Sequence, residues 1–234
     1  LKLLPCGAGR ARLACGRMAA PGSGGGGQKH VFFVRHGQSE SNVLFEKQKK
    51  EKARALRDPK LSKTGERQAR DVASDPLLAG VLVARAPGAG PAVLLVLSPL
   101  SRAIQTGLAA FGPWLRERSA AGDPVRVELC PDIQEHGEAD YPCDCGRPAS
   151  ELRAEFGPAC PLLPFAALRE DWFEKRPAGA RKAEALEARL ARFTCWAQQQ
   201  PERVLIVVGH QNVFCDLLDA DFQNGEVRLY GLEA

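Results

Sequence analysis

What this chain lacks narrows its function before any motif is read. No apolar run approaches the roughly 18 residues that a bilayer-spanning helix needs, so no membrane partner is expected. The body of the chain has no basic surplus. Residues 1–39 hold six cations (Lys2, Arg10, Arg12, Arg17, Lys29, Arg35) and no acid, which leaves 26 Lys and Arg against 28 Asp and Glu in the rest. The overall charge of +4 therefore belongs to the beginning of the chain, and no nucleic-acid partner is expected. A Gly-rich loop ending in Lys-Ser or Lys-Thr, the mark of a Walker-type nucleotide site, is missing. So is a run of carboxylates suited to caging magnesium. Histidine is scarce, at four residues, and methionine is represented by Met18 alone.

The first 29 residues differ from the remainder. They are rich in Ala, Gly and Arg and end in the tract Gly22-Ser23-Gly24-Gly25-Gly26-Gly27, which as a peptide behaves as coil. Two origins stay open for residues 1–17. Met18-Ala19-Ala20-Pro21 reads as a natural start preceded by translated upstream sequence, and the protein is then expected in the cytoplasm. An Arg-rich, acid-free leader also fits a transit peptide for a plastid or mitochondrion. In both cases residues 1–29 are expected to be a disordered leader without chemistry. Residues 30–234 are expected to form one domain, for which 44% hydrophobic content supplies a full core.

Eight cysteines raise the question of disulfides or zinc. No signal-peptide core precedes them and a domain of this size needs no staples, so reduced thiols are expected, with Cys195 and Cys215 packing as small apolar groups on helices. Cys143 and Cys145, with His136 and Cys160 nearby, lack the paired spacing of structural zinc sites. No metal and no cofactor are expected.

Apolar β-branched runs alternate with helical periodicity. Val31–Val34, Val93–Leu97, Val125–Leu129 and Val204–Val208 read as buried strands, and Glu226–Leu232 as a closing strand. Ser41–Arg57 has the charge pattern of a solvated helix, with a basic flap at the mouth of a site as the functional alternative. A helix is expected from Thr64, its N-cap; 84–92 reads as a loop; and 179–199 reads as an amphipathic helix through Leu186, Leu190, Phe193 and Ala197. The long, weakly patterned stretch Asp132–Arg176 reads as a lid or pocket wall. This alternation predicts a three-layer α/β/α sandwich with a mostly parallel central sheet.

Ligand sites of such sheets lie beyond the carboxyl ends of the strands. The first run delivers Arg35, His36 and, further on, Asn42. The second delivers Ser98, Ser101 and Arg102, the third Glu135 and His136, the fourth His210. Arginine forks match phosphate oxygens, a neutral imidazole can attack phosphorus, and a carboxylic acid can protonate the departing oxygen. Glu138 and Asp140 lie close to Glu135 and are alternatives for the acid. His136 reads as structural or as a substrate contact, and His30 as the chain entering its strand.

Four stretches carry a family resemblance: Phe33–Asn42, Asp58–Ala69, Ser98–Thr106 and Gly209-His210. In this order they are similar to the signature blocks of the histidine phosphatase superfamily, in its phosphoglycerate mutase-like branch. The resemblance implies His36 as a nucleophile that becomes phosphohistidine. It implies Arg35, Arg102 and His210, helped by Asn42, as holders of the phosphoryl oxygens, and Glu135 as the proton donor. Three cationic neighbours are expected to keep His36 neutral. After the acid, mutases of the family continue Arg-His-Tyr-Gly, whereas this chain reads His136-Gly137-Glu138-Ala139, as phosphatase relatives do. After His210 the family usually has Gly, whereas here Gln211-Asn212 follow, and the bulkier residue is expected to narrow the phosphate pocket or touch substrate. The expected function is a phosphomonoester phosphatase acting on a small phosphorylated substrate. The alternatives are a phosphoglycerate-type mutase and an inactive phospho-ligand-binding pseudoenzyme.

Overall fold

A computed structural model describes residues 18–19, 28–82, 93–123, 125–136, 141–174 and 182–233. Residues 1–17, the Gly/Ser tract, the loop expected over 84–92, the start of the helix expected from 179, and both Glu138 and Asp140 lie outside the described residues.

The strands are β1 (Met18–Ala19), β2 (Lys29–Arg35), β3 (Val93–Leu97), β4 (Arg126–Leu129), β5 (Val204–Gly209) and β6 (Val227–Leu232). The helices are α1 (Glu40–Glu46), α2 (Lys50–Ala55), α3 (Lys63–Asp71), α4 (Ala79–Leu82), α5 (Ser101–Ala120), α6 (Ala149–Phe156), α7 (Lys182–Gln199) and α8 (Gln211–Leu218). The strands form one sheet in the order β1-β6-β2-β5-β3-β4. β2, β5, β3 and β4 run parallel, and β6 pairs antiparallel with β2 and β1. β5 is thus inserted between two strands that precede it in sequence, which brings three strand ends side by side.

The period of two along each strand divides the core between two faces. Phe32, Val34, Leu95, Leu97, Ile206 and Val208 pack with Ile104, Phe111 and Leu115 of α5. Val31, Phe33, Leu94, Val96, Leu205 and Val207 pack with Leu190, Phe193 and Ala197 of α7 and with Val213 and Phe214 of α8. Both faces are apolar because both are covered by helices, and each fully buried Val, Leu or Phe contributes ~1.5–3 kcal/mol. This is the expected three-layer sandwich.

Several boundaries differ from the sequence reading, each for a local reason. The segment expected as a bare leader already contributes to the sheet, since Met18 and Ala19 pair with Leu232 and Gly231. Lys29 lies inside β2, buried, with Nζ donating to the carbonyls of Gln200 and Glu202. Ser41–Arg57 is not one helix. A capping box between Ser39 and Asn42 starts α1, Gln48 turns the chain through a left-handed conformation (φ 59°), and α2 follows. The N-cap of α3 is Ser62 rather than Thr64: its Oγ accepts from Gly65 N at 3.1 Å and donates to Gln38 Oε1 at 2.7 Å. The tertiary contact with Gln38 decides between two residues that local propensity leaves equal. The described part of the stretch expected as a lid or pocket wall, Asp132–Arg176, packs against the core. Its described residues include α6 and the 3₁₀ turns Pro142–Asp144 and Phe165–Ala167, and sink Leu152, Phe156, Leu163, Phe165 and Trp172 into the α5 side of the core. Among the described residues no helix is long and apolar enough to cross a membrane.

Cys130, Cys143, Cys145 and Cys160 are in no disulfide. Cys195 and Cys215 are disulfide-bonded, against the expectation of reduced thiols at those positions.

One backbone contact fixes the loop after β2. A Cβ on Gly37 would stand 2.3 Å from the carbonyl oxygen of Gly65, and a Cβ on Gly65 would stand 2.0 Å from that of Gln38. Both are far inside van der Waals contact with rigid backbone. Gly65→Ala is therefore expected to destabilise by ~1–3 kcal/mol or more, in the range of overpacked sites. Gly80→Ala, where nothing lies within 4 Å and the position is helical, should be neutral or stabilising by up to ~1 kcal/mol. Urea unfolding of the two variants checks the contrast, and equal midpoints would refute the close-approach argument.

Candidate active site

Strand register builds the centre of the site. Arg35 pairs with Gly209 across β2 and β5, and Leu97 pairs with Val208 across β3 and β5. The residues that follow, His36, His210 and Ser98, are therefore delivered to one edge. His36 N donates to Gly209 O at 3.0 Å and Ser98 N to Val208 O at 3.0 Å, which continues the ladder by one residue. The two imidazoles stand with ring centroids 5.1 Å apart. His210 is completely buried, and its Nε2 lies 2.7 Å from Ser98 Oγ, which sets the ring plane.

The tautomer of His36 follows from its neighbours. Nδ1 lies 2.6 Å from the carbonyl oxygen of Gly37, which can only accept, so Nδ1 carries the proton. Nε2 lies 3.2 Å from Arg102 Nε, which can only donate, so Nε2 presents a lone pair. The pKa of His36 is held well below the usual histidine value, first by burial and then by the charges of Arg102 and Arg35. The expected depression is present, but desolvation outweighs the cations as its cause.

Arg102 enters from the first turn of α5, with its side chain buried. Nη1 donates to the carbonyl of Cys143 at 2.9 Å, and Nη2 lies 3.7 Å from Asp144 Oδ1. Arg35 donates Nη1 to the carbonyl of Phe222 at 2.5 Å, while its buried Nε has no hydrogen-bond partner among the described residues. An unspent buried donor is costly, and this one sits beside His36.

Glu135 follows the 3₁₀ turn after β4 and is buried. Its Oε1 accepts from His136 N at 3.0 Å and its Oε2 from Asn212 N at 3.4 Å. Burial first, and then the carboxylate of Asp144, push its pKa upward, against the pull of His136 and Arg102. Buried Arg189 of α7 supports the same segment by donating Nη2 to the carbonyl of Gln134 at 3.0 Å. The structure thus brings His36, Arg35, Arg102, His210 and Glu135 together. Asn42 is placed differently: its Oδ1 accepts from Ser39 N at 3.0 Å and Ser39 Oγ at 2.9 Å, which makes it a helix cap. His136 Nε2 lies 2.6 Å from Asp216 Oδ2, a structural pairing. Among the described residues no group of three or more His, Cys, Asp or Glu is placed to hold a metal, and Cys143 engages the site through its carbonyl.

Several supporting residues escaped the sequence reading. Buried Asp58, in a left-handed conformation (φ 45°), caps α5 from a distance. Its Oδ1 accepts from Ser101 N at 2.8 Å and its Oδ2 from Ser101 Oγ at 2.5 Å and Arg147 Nε at 3.0 Å. That supplies the cap that Leu100 cannot and fixes the turn bearing Arg102. Thr106 Oγ1 accepts from Gly37 N at 3.1 Å and donates to Arg102 O at 2.7 Å, tying the His36 loop to the same helix. Both lie inside the motif blocks, which was the available signal. Asp144 lay in a stretch with no readable period and offered none.

Gln211 corrects an expectation. Its side chain turns away to the 221–222 loop, with Nε2 donating to Asp221 Oδ1 at 2.6 Å and Oε1 accepting from Phe222 N at 2.9 Å. The carbonyl of that same Phe222 holds Arg35, so Gln211 supports Arg35 indirectly.

The chain is similar to a phosphoglycerate mutase-like protein of Arabidopsis thaliana, at 25% identity over 219 residues covering 82% of this chain and 74% of that protein. Among solved structures it is similar to phosphoserine phosphatase from Entamoeba histolytica (18% identity, TM-score 0.44, covering 86% of this chain and 89% of that one). It is also similar to phosphoglycerate mutase from Bacillus anthracis (15% identity, TM-score 0.46, covering 89% and 92%). The sequence model of the histidine phosphatase superfamily (branch 1) matches residues 31–226, and the chain belongs to that superfamily.

Proposed function

We propose that this protein is a phosphomonoester phosphatase that turns over through phosphohistidine on His36. The observation that carries the reading is the state of that ring. It is neutral, with its proton committed to Gly37 O and its lone pair on Nε2, between two arginines and a second histidine. A nucleophile for phosphorus needs that tautomer, and a loose phosphoryl transition state needs those cations. The neighbouring carboxyl has the opposite adjustment, pushed toward its protonated form, as a proton donor requires. The absence of Arg-His-Tyr-Gly after Glu135 favours hydrolysis over the mutase reading.

In the first step Nε2 of His36 bonds to phosphorus as the ester P–O bond breaks, and the Glu135 proton passes to the departing oxygen. Arg102 Nε, the donor to Nε2, turns to a phosphoryl oxygen, joined by the unspent Nε of Arg35 and by His210. Asn42 reaches the phosphoryl group only through its Nδ2, since its Oδ1 caps α1. In the second step a water attacks phosphorus, Glu135 as carboxylate takes its proton, and the P–N bond breaks. Inorganic phosphate leaves and neutral His36 is restored.

Quenching with ³²P-labelled para-nitrophenyl phosphate should trap acid-labile, base-stable label on the wild-type protein and none on His36→Ala. Label retained by the variant would remove His36 from the role, and a wild type that neither labels nor turns over any of a panel of sugar, nucleotide and glycerate phosphates would favour a binding protein. Arg102→Ala should slow every substrate by roughly 10² to 10³. Glu135→Gln should slow alkyl phosphates strongly and para-nitrophenyl phosphate little, because the phenolate leaves without a proton. Equal penalties on the two substrates would show that another group is the acid.

The pH dependence follows from the two opposed shifts. His36 loses nucleophilicity only on protonation, so the acid limb should fall below the usual histidine value. Glu135 must hold its proton, so alkyl phosphates should show a basic limb displaced upward from the usual carboxylate range. That limb should vanish in Glu135→Gln and be weak for para-nitrophenyl phosphate. A rate profile with an acid limb at or above the ordinary histidine value would contradict the buried, cation-flanked setting of His36.

A further inference from the structure

We propose that Asn212 is the positioning residue of the Glu135 proton donor, an inference that rests on the reading of Glu135 as the acid. Two of its groups reach the acid-bearing segment from α8. The main-chain N–H donates to Glu135 Oε2 at 3.4 Å, and the side-chain Nδ2 donates to the carbonyl of His136 at 2.7 Å. One helical turn further on, Asp216 Oδ2 lies 2.6 Å from His136 Nε2. Positions 212 and 216 share one face of the helix, so α8 grips residues 135–136 at three points. These ties join segments 76 residues apart in the chain.

The arrangement discriminates between the two carboxyl oxygens. Oε1 is bound at 3.0 Å by the N–H of His136, which moves with the same segment and cannot fix it in space. Arg189 of α7 holds the segment one residue earlier, at the Gln134 carbonyl, whereas the tie from another element to the Glu135 carboxyl itself comes from α8. That helix begins immediately after His210, its N-cap, so the grip of Asn212 sets the acid relative to the residue that faces His36. Proton transfer to a departing oxygen is sensitive to displacements of an ångström. The Asn212 side chain is exposed, and its Nδ2 is spent on the His136 carbonyl. The two residues after His210 thus divide the work: Gln211 supports Arg35 through Phe222, and Asn212 supports Glu135.

The test compares β-glycerol phosphate with para-nitrophenyl phosphate in Asn212→Ala, alone and combined with Glu135→Gln. Asn212→Ala should lose about tenfold or more in kcat on the alkyl ester, with KM unchanged, and stay within about twofold on the aryl ester. In the Glu135→Gln background it should cost nothing further on either substrate, since residues acting through one another are not additive. Asp216→Asn, equal in size and acting through His136, should show the same split in milder form, and it stands as the second variant should Asn212→Ala fold poorly. Equal losses on both esters, or a full additional loss in the Glu135→Gln background, would overturn the positioning role. If Glu135→Gln discriminates between the esters while neither α8 variant does, the positioning role alone fails. If Glu135→Gln itself does not discriminate, the acid assignment fails and takes this inference with it.

Discussion

The parallel ladder that runs through β2, β5 and β3 is the constraint on which the rest of the structure depends. Arg35 opposite Gly209 and Leu97 opposite Val208 leave the next residue of each strand at the same edge. A slip of one residue would reverse the face of every side chain in a strand. Here it would move both histidines out of the site and turn Val31 and Phe33 against α5 instead of α7. Register is held so firmly because both faces are buried, so any slip exposes apolar surface on two sides at once. The placement of His36 and His210 at one edge is therefore a by-product of core packing, and local ties such as that of Gly37 N to Thr106 Oγ1 set the loop that follows.

That placement concentrates positive charge in a region with little water, which is costly unless the charges find partners. The chain manages this unevenly. Arg102 is satisfied by the Cys143 carbonyl and lies near Asp144, and the turn that carries it is anchored by Asp58. Arg35 is secured at Nη1 but leaves Nε unspent. The same burial pushes His36 and Glu135 toward their neutral forms from opposite sides of the pH scale. One buried environment thus favours the neutral form of both an imidazole and a carboxyl, with Asp144 adding to the effect on Glu135.

The elements built on periodicity were legible in the sequence, because a β-branched run or an i, i+4 stripe is the physical cause of the element it announces. The motif blocks were legible for a different reason. Their polar side chains bond across the blocks: Ser62 Oγ donates to Gln38 Oε1, and the main-chain N–H groups of Gln38, Leu61 and Gly37 donate to Gln68, Gln105 and Thr106 side chains. Each such bond needs a particular side chain, so the residues cannot drift without loss. What stayed illegible was decided by tertiary contact. Ser62 outcompetes Thr64 as a cap because Gln38 is there to receive it. Ser41–Arg57 breaks at Gln48 although its charge pattern runs on. The wall from Asp132 to Arg176 is held by single anchors, among them Trp172 Nε1 donating to the Arg147 carbonyl at 2.8 Å, and such anchors follow no period.

Asp144 shows why that wall matters to the chemistry. It belongs to a segment fixed from outside: Arg54 lies over the Tyr141 ring at 4.4 Å, and Arg57 Nε donates to the Gly146 carbonyl at 3.1 Å. A Cβ on Gly146 would meet the Trp172 ring at 2.2 Å, so the backbone there is pressed against the aromatic. Those contacts bring a carboxylate close enough to Arg102 to partner it, and close enough to Glu135 to disfavour a second negative charge. A phosphoryl dianion entering beside Arg102 would disfavour that charge further, because it too is an anion near Glu135. The segment therefore reaches Glu135 electrostatically through Asp144, and α2, whose charge pattern reads as a solvated face, supports it through Arg54 over Tyr141.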